Sequence, residues 1–424
     1  MRMDLIIEGR ALINGRLEQC CIGVDGGRIV AIKKDLRGAK RLDLQDRIIL
    51  PGAIDPHVHL REPGSTHKED FRTGSLSAAF GGVTCILDMP NTVPPTTDLD
   101  RLREKRATAN AKAWVDFGLF GGLGPKSAVL DMAAEVVGFK LFMGSTTQSH
   151  LVTESEDLQR LAGLVKRAGK VLSVHAEEEG MIKRDRASDL MGHNNNRAPE
   201  CELHAVRRLT ELLPEAPVNV CHVTTVAALK LLEGTGFTKE VTPHHMLLDE
   251  RSGLGGRGKV NPPLRSPEER DAVLNAFIAG RFDILASDHA PHTVDEKGQE
   301  FNSAPSGVPG VETSVPLMLN LVKKGRLDLG LLSRCCAQNP GERFGLKKGR
   351  LAVGYDADLI VIDPGKVVRI KADRLHSKCA WTPYERLEAI FPEMVFLRGD
   401  ALIEEGNIVG ERKGRDVITA KLSG

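Results

Sequence analysis

Eight short apolar runs between residues 48 and 289, with helix-like stretches in the gaps, constrain this chain more than any other feature. They are IILPGAIDPHVH (48–59), GVTCILDM (82–89), WVDFGLFGG (114–122), VVGFKLFM (136–143), KVLSVHAE (170–177), PVNVCHVT (217–224), KEVTPHHM (239–246) and FDILASDH (282–289). Helical candidates include 155–169, 201–213 and 266–280, the last opening with Ser266 and Pro267, which suit the N-cap and first helical positions. A helix over 311–325 would follow the eighth run. Strands that are apolar on both faces and alternate with helices build parallel sheets. Eight such units over about 300 residues predict an α/β fold of the (β/α)8, TIM-barrel type.

The two ends of the chain differ from this pattern. Residues 1–50 read as short alternating strands with a DGG turn at Asp25 to Gly27, and the style returns after residue 350 with GYDADLIVID and EEGNIVG. The expected organisation is a small β-sandwich-like domain made of 1–50 and 350–424, enclosing a barrel over 51–349.

Basic and acidic residues nearly cancel, 58 against 57, and no dense Lys/Arg block with interleaved aromatics occurs. Nucleic acid and anionic membranes are therefore poor partners, and a small polar substrate fits better. The first residues, MRMDLIIEGRALINGR, mix charges with apolar residues unlike a secretory signal, and no run approaches the ~18 apolar residues of a membrane span, so a cytoplasmic protein is expected. Eight cysteines without any CxxC, among them the adjacent pairs Cys20-Cys21 and Cys335-Cys336, read as reduced thiols without a catalytic role. The glycine clusters at 121–127 and 253–259 lack phosphate-loop spacing and read as turns.

Reactive residues of such barrels lie at the carboxyl ends of the strands. His57 and His59 end the first run, Lys140 lies in the fourth, His175 and His222 fall in the fifth and sixth, and Asp288 ends the eighth. Within an extended strand His57, His59 and Arg61 would share a face. Neutral imidazoles holding a metal, with Arg61 holding an anion, account for that crowding; a solvated strand end is the bland alternative. Lys140 between Phe139 and Leu141 should either lose its proton or find a counter-charge, with a lysine snorkelling to the rim as the bland alternative. A neutral lysine can add carbon dioxide and become a carbamate, an anionic oxygen ligand able to bridge two metals. His244 and His245 fall near the same rim but read as structural, and the loop 145–153, containing STTQSH, could be mobile.

With these residues in place, the sequence resembles the amidohydrolase superfamily, and DPHVHLREPG, DMPNTVPP, GFKLFMG, VNPPLR and SDHAPH resemble the dihydroorotase family of cyclic amidases within it. The resemblance covers nearly the whole chain. It implies a zinc enzyme that reversibly cyclises N-carbamoyl-L-aspartate to L-dihydroorotate in pyrimidine biosynthesis. Two Zn2+ ions are implied, held by His57, His59, His175, His222 and Asp288 and bridged by Lys140 as N6-carboxylysine. Asp288 would be the catalytic base and acid. Arg61, Asn91 and His292 would grip the substrate carboxylate, although Asn91 could instead stabilise its turn and His292 cap a loop. Asn261 and the backbone of Ser306 and Gly307 would read the ring's amide edge; many relatives carry phenylalanine where this chain has Ser306. Another cyclic amidase, a hydantoinase or allantoinase, and a non-catalytic scaffold are the competing readings. A homo-oligomer is possible, and no surface signal supports association with aspartate transcarbamoylase, which occurs for some relatives.

Overall fold

A computed structural model describes residues 3–38, 40–147 and 149–418. Gln148, inside the loop 145–153, and residues 419–424, at the end of the expected β domain, lie outside the described residues.

Eight parallel strands form one sheet in strict sequence order: Ala53–Val58, Val83–Asp88, Asp116–Gly122, Gly138–Phe142, Val171–His175, Val218–Val220, Thr238–Val241 and Ile284–Leu285. A bridge between Val58 and His289, with the His59 amide donating to the His289 carbonyl at 2.8 Å, brings the last strand back to the first. The expected barrel is therefore present, and its strands are buried throughout their first five members, as an all-parallel sheet requires. The helices expected from periodicity occur at Ser155–Arg167, Pro199–Leu212, Pro267–Ile278 and Ser314–Lys323. Ser266 caps the third of these by accepting from the Glu269 amide, with Pro267 in the first helical position.

The sixth and eighth strands end sooner than their apolar runs. His222 (φ 36°) and Asp288 (φ 45°) adopt left-handed backbone just beyond them, which leaves the ladder and turns both side chains inward. The seventh run also breaks early, because Pro243 opens the short helix Pro243–Leu247 that carries His244 and His245.

The second sheet joins both chain ends. Its strand order is Asn407–Ile408, Asp400–Glu404, Met394–Leu397, Leu359–Ile362, Lys40–Pro51, Leu5–Ile13, Arg16–Asp25 and Arg28–Lys33. The DGG turn links the last two, with Gly26 and Gly27 at φ 57° and 79°, as a two-residue hairpin of the primed type demands. The first apolar run is shared between the sheets. Ile48 to Pro51 ends a strand of this sheet, and Ala53 begins the barrel. Gly52 at the junction has no room for a side chain, since a Cβ there would meet Thr84 Oγ1 at 2.3 Å. Ile370, Trp381, Tyr384 and Ile390 pack in the barrel's own apolar cluster, so the stretch between two strands of the small sheet lies against the barrel.

Candidate active site

At the carboxyl ends of the strands His57, His59, Lys140, His175, His222 and Asp288 line one cleft together with Arg61, Asn91, Asn261, Ser306 and Gly307. Asp288 Oδ1 lies 3.1 Å from His59 Nε2 and 3.4 Å from His57 Nε2. His175 Nδ1 lies 3.1 Å from His222 Nε2. Ligands bonded at ~2.0–2.1 Å around a tetrahedral ion stand about 3.3 Å apart, so these separations suit one shared ion on each side. His57, His222 and Asp288 offer three ligand atoms within 4.8 Å of one another.

The outer partners of the histidines settle which nitrogen is free. His57 Nδ1 donates to Glu240 Oε1 at 2.7 Å, leaving Nε2 with its lone pair toward Asp288. His175 Nε2 donates to Glu177 Oε2 at 2.8 Å, leaving Nδ1 toward His222. Asn91 Nδ2 donates to the Thr147 carbonyl at 2.8 Å, which orients the amide so that its Oδ1 accepts from His59 Nδ1 at 2.7 Å and leaves His59 Nε2 bare. Each lone pair faces the cluster, the arrangement in which buried carboxylates and amides orient metal-binding imidazoles.

For His59, His175 and His222 charge agrees with neutral, metal-facing rings. Burial holds His59 down to about 3, pushes His222 well below its ordinary value and lowers His175, so these rings are neutral. Burial and Lys140 depress His57, but Asp288 and Glu240 outweigh them and hold it up to about 10. Without a cation His57 therefore carries a proton on Nε2 as well, and a bound cation would take that proton's place between His57 and Asp288. Lys140 is fully buried, and its one hydrogen bond among the described residues is to Cys221 Sγ at 3.0 Å. Among the described residues an ammonium there makes no ion pair, Glu240 reaching it only through space, whereas a carbamate would face imidazole nitrogens and a cation. The residues present therefore fit a metal centre.

Arg61 forms the opposite wall. It does not reach the cleft by strand alternation, as the spacing suggested, because the strand ends at Val58 and Arg61 sits at φ 60°. Its Nε donates to the Pro291 carbonyl at 3.1 Å, and it is 4% exposed. His292 stands behind it, fully buried, with Nε2 3.1 Å from an Arg61 terminal nitrogen. Asn261 Oδ1 accepts from Ser306 Oγ at 3.2 Å, and its Nδ2 faces Thr146 Oγ1 at 3.4 Å. The Gly307 amide donates to the Lys259 carbonyl at 2.9 Å, which leaves Ser306 N and Gly307 O as the backbone atoms for a ligand.

Sequence reasoning missed the carboxylates behind the histidines. Glu177 is clamped by Arg197 at 2.5 Å; against burial, Arg197 and His175 hold its carboxyl well below the usual range. Glu240 lies fully buried inside the seventh strand, and an acidic residue within a buried parallel strand was the available signal. Thr146 and Thr147 place the loop after the fourth strand against the site. His245 is satisfied by Thr242 and by the Pro262 carbonyl, consistent with a structural role.

A parallel barrel whose carboxyl rim gathers four histidines, a lysine and an aspartate has the frame and the donor set of a hydrolase with a candidate metal site. The amidohydrolase family matches residues 48–402. The chain is 39% identical to a dihydroorotase of Methanosarcina mazei, covering 94% of both chains, and 38% identical to one of Thermoplasma acidophilum, covering 98% of both. Among solved structures it resembles the L-hydantoinase (dihydropyrimidinase) of Arthrobacter aurescens, with a TM-score of 0.93, 30% identity and coverage of 98% and 99%. The chain belongs to the amidohydrolase family and, within it, to the dihydroorotases.

Proposed function

We propose that this enzyme interconverts N-carbamoyl-L-aspartate and L-dihydroorotate, the ring-closing step of de novo pyrimidine biosynthesis, in the cytoplasm. The observation that carries the reading is Arg61: a buried guanidinium on the wall of the same cleft as the metal cluster. A buried cation there calls for an anionic partner, and dihydroorotate brings a carboxylate where a hydantoin brings none.

His57, His59, Lys140 as N6-carboxylysine, His175, His222 and Asp288 would hold two zinc ions. Bound zinc supplies a water that is nucleophilic near neutral pH and polarises the carbonyl under attack. Asp288, ionised because its histidine neighbours outweigh burial, accepts the proton of the attacking water and returns it to the departing ring nitrogen. In the closing direction the same carboxylate takes the proton from the attacking ureido nitrogen and returns it to the hydroxide that leaves the substrate's side-chain carboxyl, which departs as water. Arg61, with Asn91 and His292 around it, fixes the substrate carboxylate and so the distance from ring carbonyl to Asp288. Asn261 Nδ2 and the Ser306 and Gly307 backbone orient the amide edge.

The test is parallel assay of the zinc-loaded protein with N-carbamoyl-L-aspartate, L-dihydroorotate, allantoin and a hydantoin, with an Asp288→Ala control. Turnover of the first pair alone, lost in the control, is expected. The likeness to solved hydantoinases makes a neutral ring the other reading, and turnover of only that ring would replace the proposal.

A further inference from the structure

Lys68 lies outside the ligand set and outside the cleft lining, yet it touches the histidine that stands behind Arg61. Its ammonium stands 3.1 Å from His292 Nδ1. On the far side of the ring, Nε2 lies 3.0 Å from the Ser306 carbonyl and 3.1 Å from an Arg61 terminal nitrogen. An ammonium and a guanidinium only donate, and a carbonyl only accepts. If Nδ1 carried the proton, Lys68 would face a donor and the Ser306 carbonyl would face a lone pair, so two of three contacts would fail. With the proton on Nε2, Lys68 donates to Nδ1, Nε2 donates to the Ser306 carbonyl, and only the Arg61 contact remains unmade. Arg61 then keeps a buried terminal N–H edge that His292 cannot accept, and an anion entering the cleft is what satisfies it.

We infer that Lys68 is a positioning residue that holds His292 in the Nε2–H tautomer and thereby reserves the Arg61 edge for the substrate carboxylate. The inference rests on the carboxylate-bearing substrate proposed above. Glu296 holds Lys68 in place at 2.9 Å while its own Oε2 caps the Thr293 amide. That Oε2 stands 3.7 Å from His292 Nδ1, outside hydrogen-bond reach but close enough to receive a proton on Nδ1 once Lys68 is gone. Removing Lys68 would therefore let the tautomer switch, free the Ser306 carbonyl and turn a bare Nε2 toward Arg61, which would consume the edge meant for the ligand.

The experiment records 15N spectra of histidine-labelled, zinc-loaded full-length protein, with the His292 signals assigned by their loss in His292→Asn. Wild type should show a lone-pair Nδ1 and a protonated Nε2 at His292; a protonated Nδ1 overturns the inference without any variant. Lys68→Met should bring in the Nδ1–H form and raise KM for N-carbamoyl-L-aspartate about tenfold, the size of one charge-assisted hydrogen bond, with kcat within about twofold. Lys68→Arg, which keeps charge and donor, should restore both. An unchanged KM in Lys68→Met, or a raised KM with His292 still in the Nε2–H form, overturns it. The spectra need no turnover. A protein with Lys68-dependent tautomer selection that fails to process either member of the substrate pair would discard the dihydroorotase reading and keep the role of Lys68.

Discussion

Single residues in this site act through the partner behind them. Glu240 and Glu177 fix the free nitrogens of His57 and His175, so Glu240→Gln and Glu177→Gln should each weaken metal affinity by about 10–100-fold, measured by competition with a chelator. Arg61→Met should leave metal content intact and raise KM for N-carbamoyl-L-aspartate by about tenfold or more; normal affinity would count against the carboxylate subsite. At this scale the residues that line the candidate metal site were legible, because their motifs place histidines, a lysine and an aspartate at predicted strand ends. Glu177, Glu240 and Lys68 were not, because an acidic or basic side chain in a motif carries no mark of which imidazole nitrogen it will face.

At the scale of elements, the apolar runs foretold all eight barrel strands, and where they overran the strands the cause was local. His222 and Asp288 take left-handed backbone, a tertiary compromise that no propensity encodes. The handover at Gly52 is equally specific. Gly52→Ala would press a methyl onto Thr84 and should destabilise the protein by about 1–3 kcal/mol in denaturant unfolding. Adding Thr84→Ala, which removes the two nearest atoms and leaves only Thr84 Cβ at 2.9 Å, should recover part of that loss.

Across the whole molecule the two sheets are tied by charge as well as by the chain. Lys348, 5% exposed, reaches Asp116 on the third barrel strand at 2.6 Å and Asp356 and Asp358 beside the small sheet at 2.8 and 2.7 Å. Removing one partner of a buried ionic cluster strands the rest, so Lys348→Met should cost about 3–5 kcal/mol of stability in denaturant unfolding. Acid should act through histidines. Seven of them, His59, His175, His193, His222, His244, His245 and His292, are depressed by burial, against His57 alone raised. A depressed group contributes stability above its unfolded value that is lost as pH falls. The metal-free protein should therefore lose Tm below about pH 6.5, and more steeply below about pH 4, where Asp288, Glu177 and Glu240 must also protonate. A Tm that rises on acidification would contradict this balance. Among the described residues no helix is long and apolar enough to cross a membrane.

By itself the sequence determined the barrel, the pairing of the chain ends and the residues at the strand ends, because hydrophobic period and strand-end motifs are local properties of the chain. Tertiary structure alone decided which partners stand behind His57, His59 and His175, how Arg61 turns into the cleft, and that residues near 370–390 lie against the barrel. These depend on distances between segments up to hundreds of residues apart, such as His57 and Glu240 or Arg61 and His292, and such distances exist only once the barrel has closed.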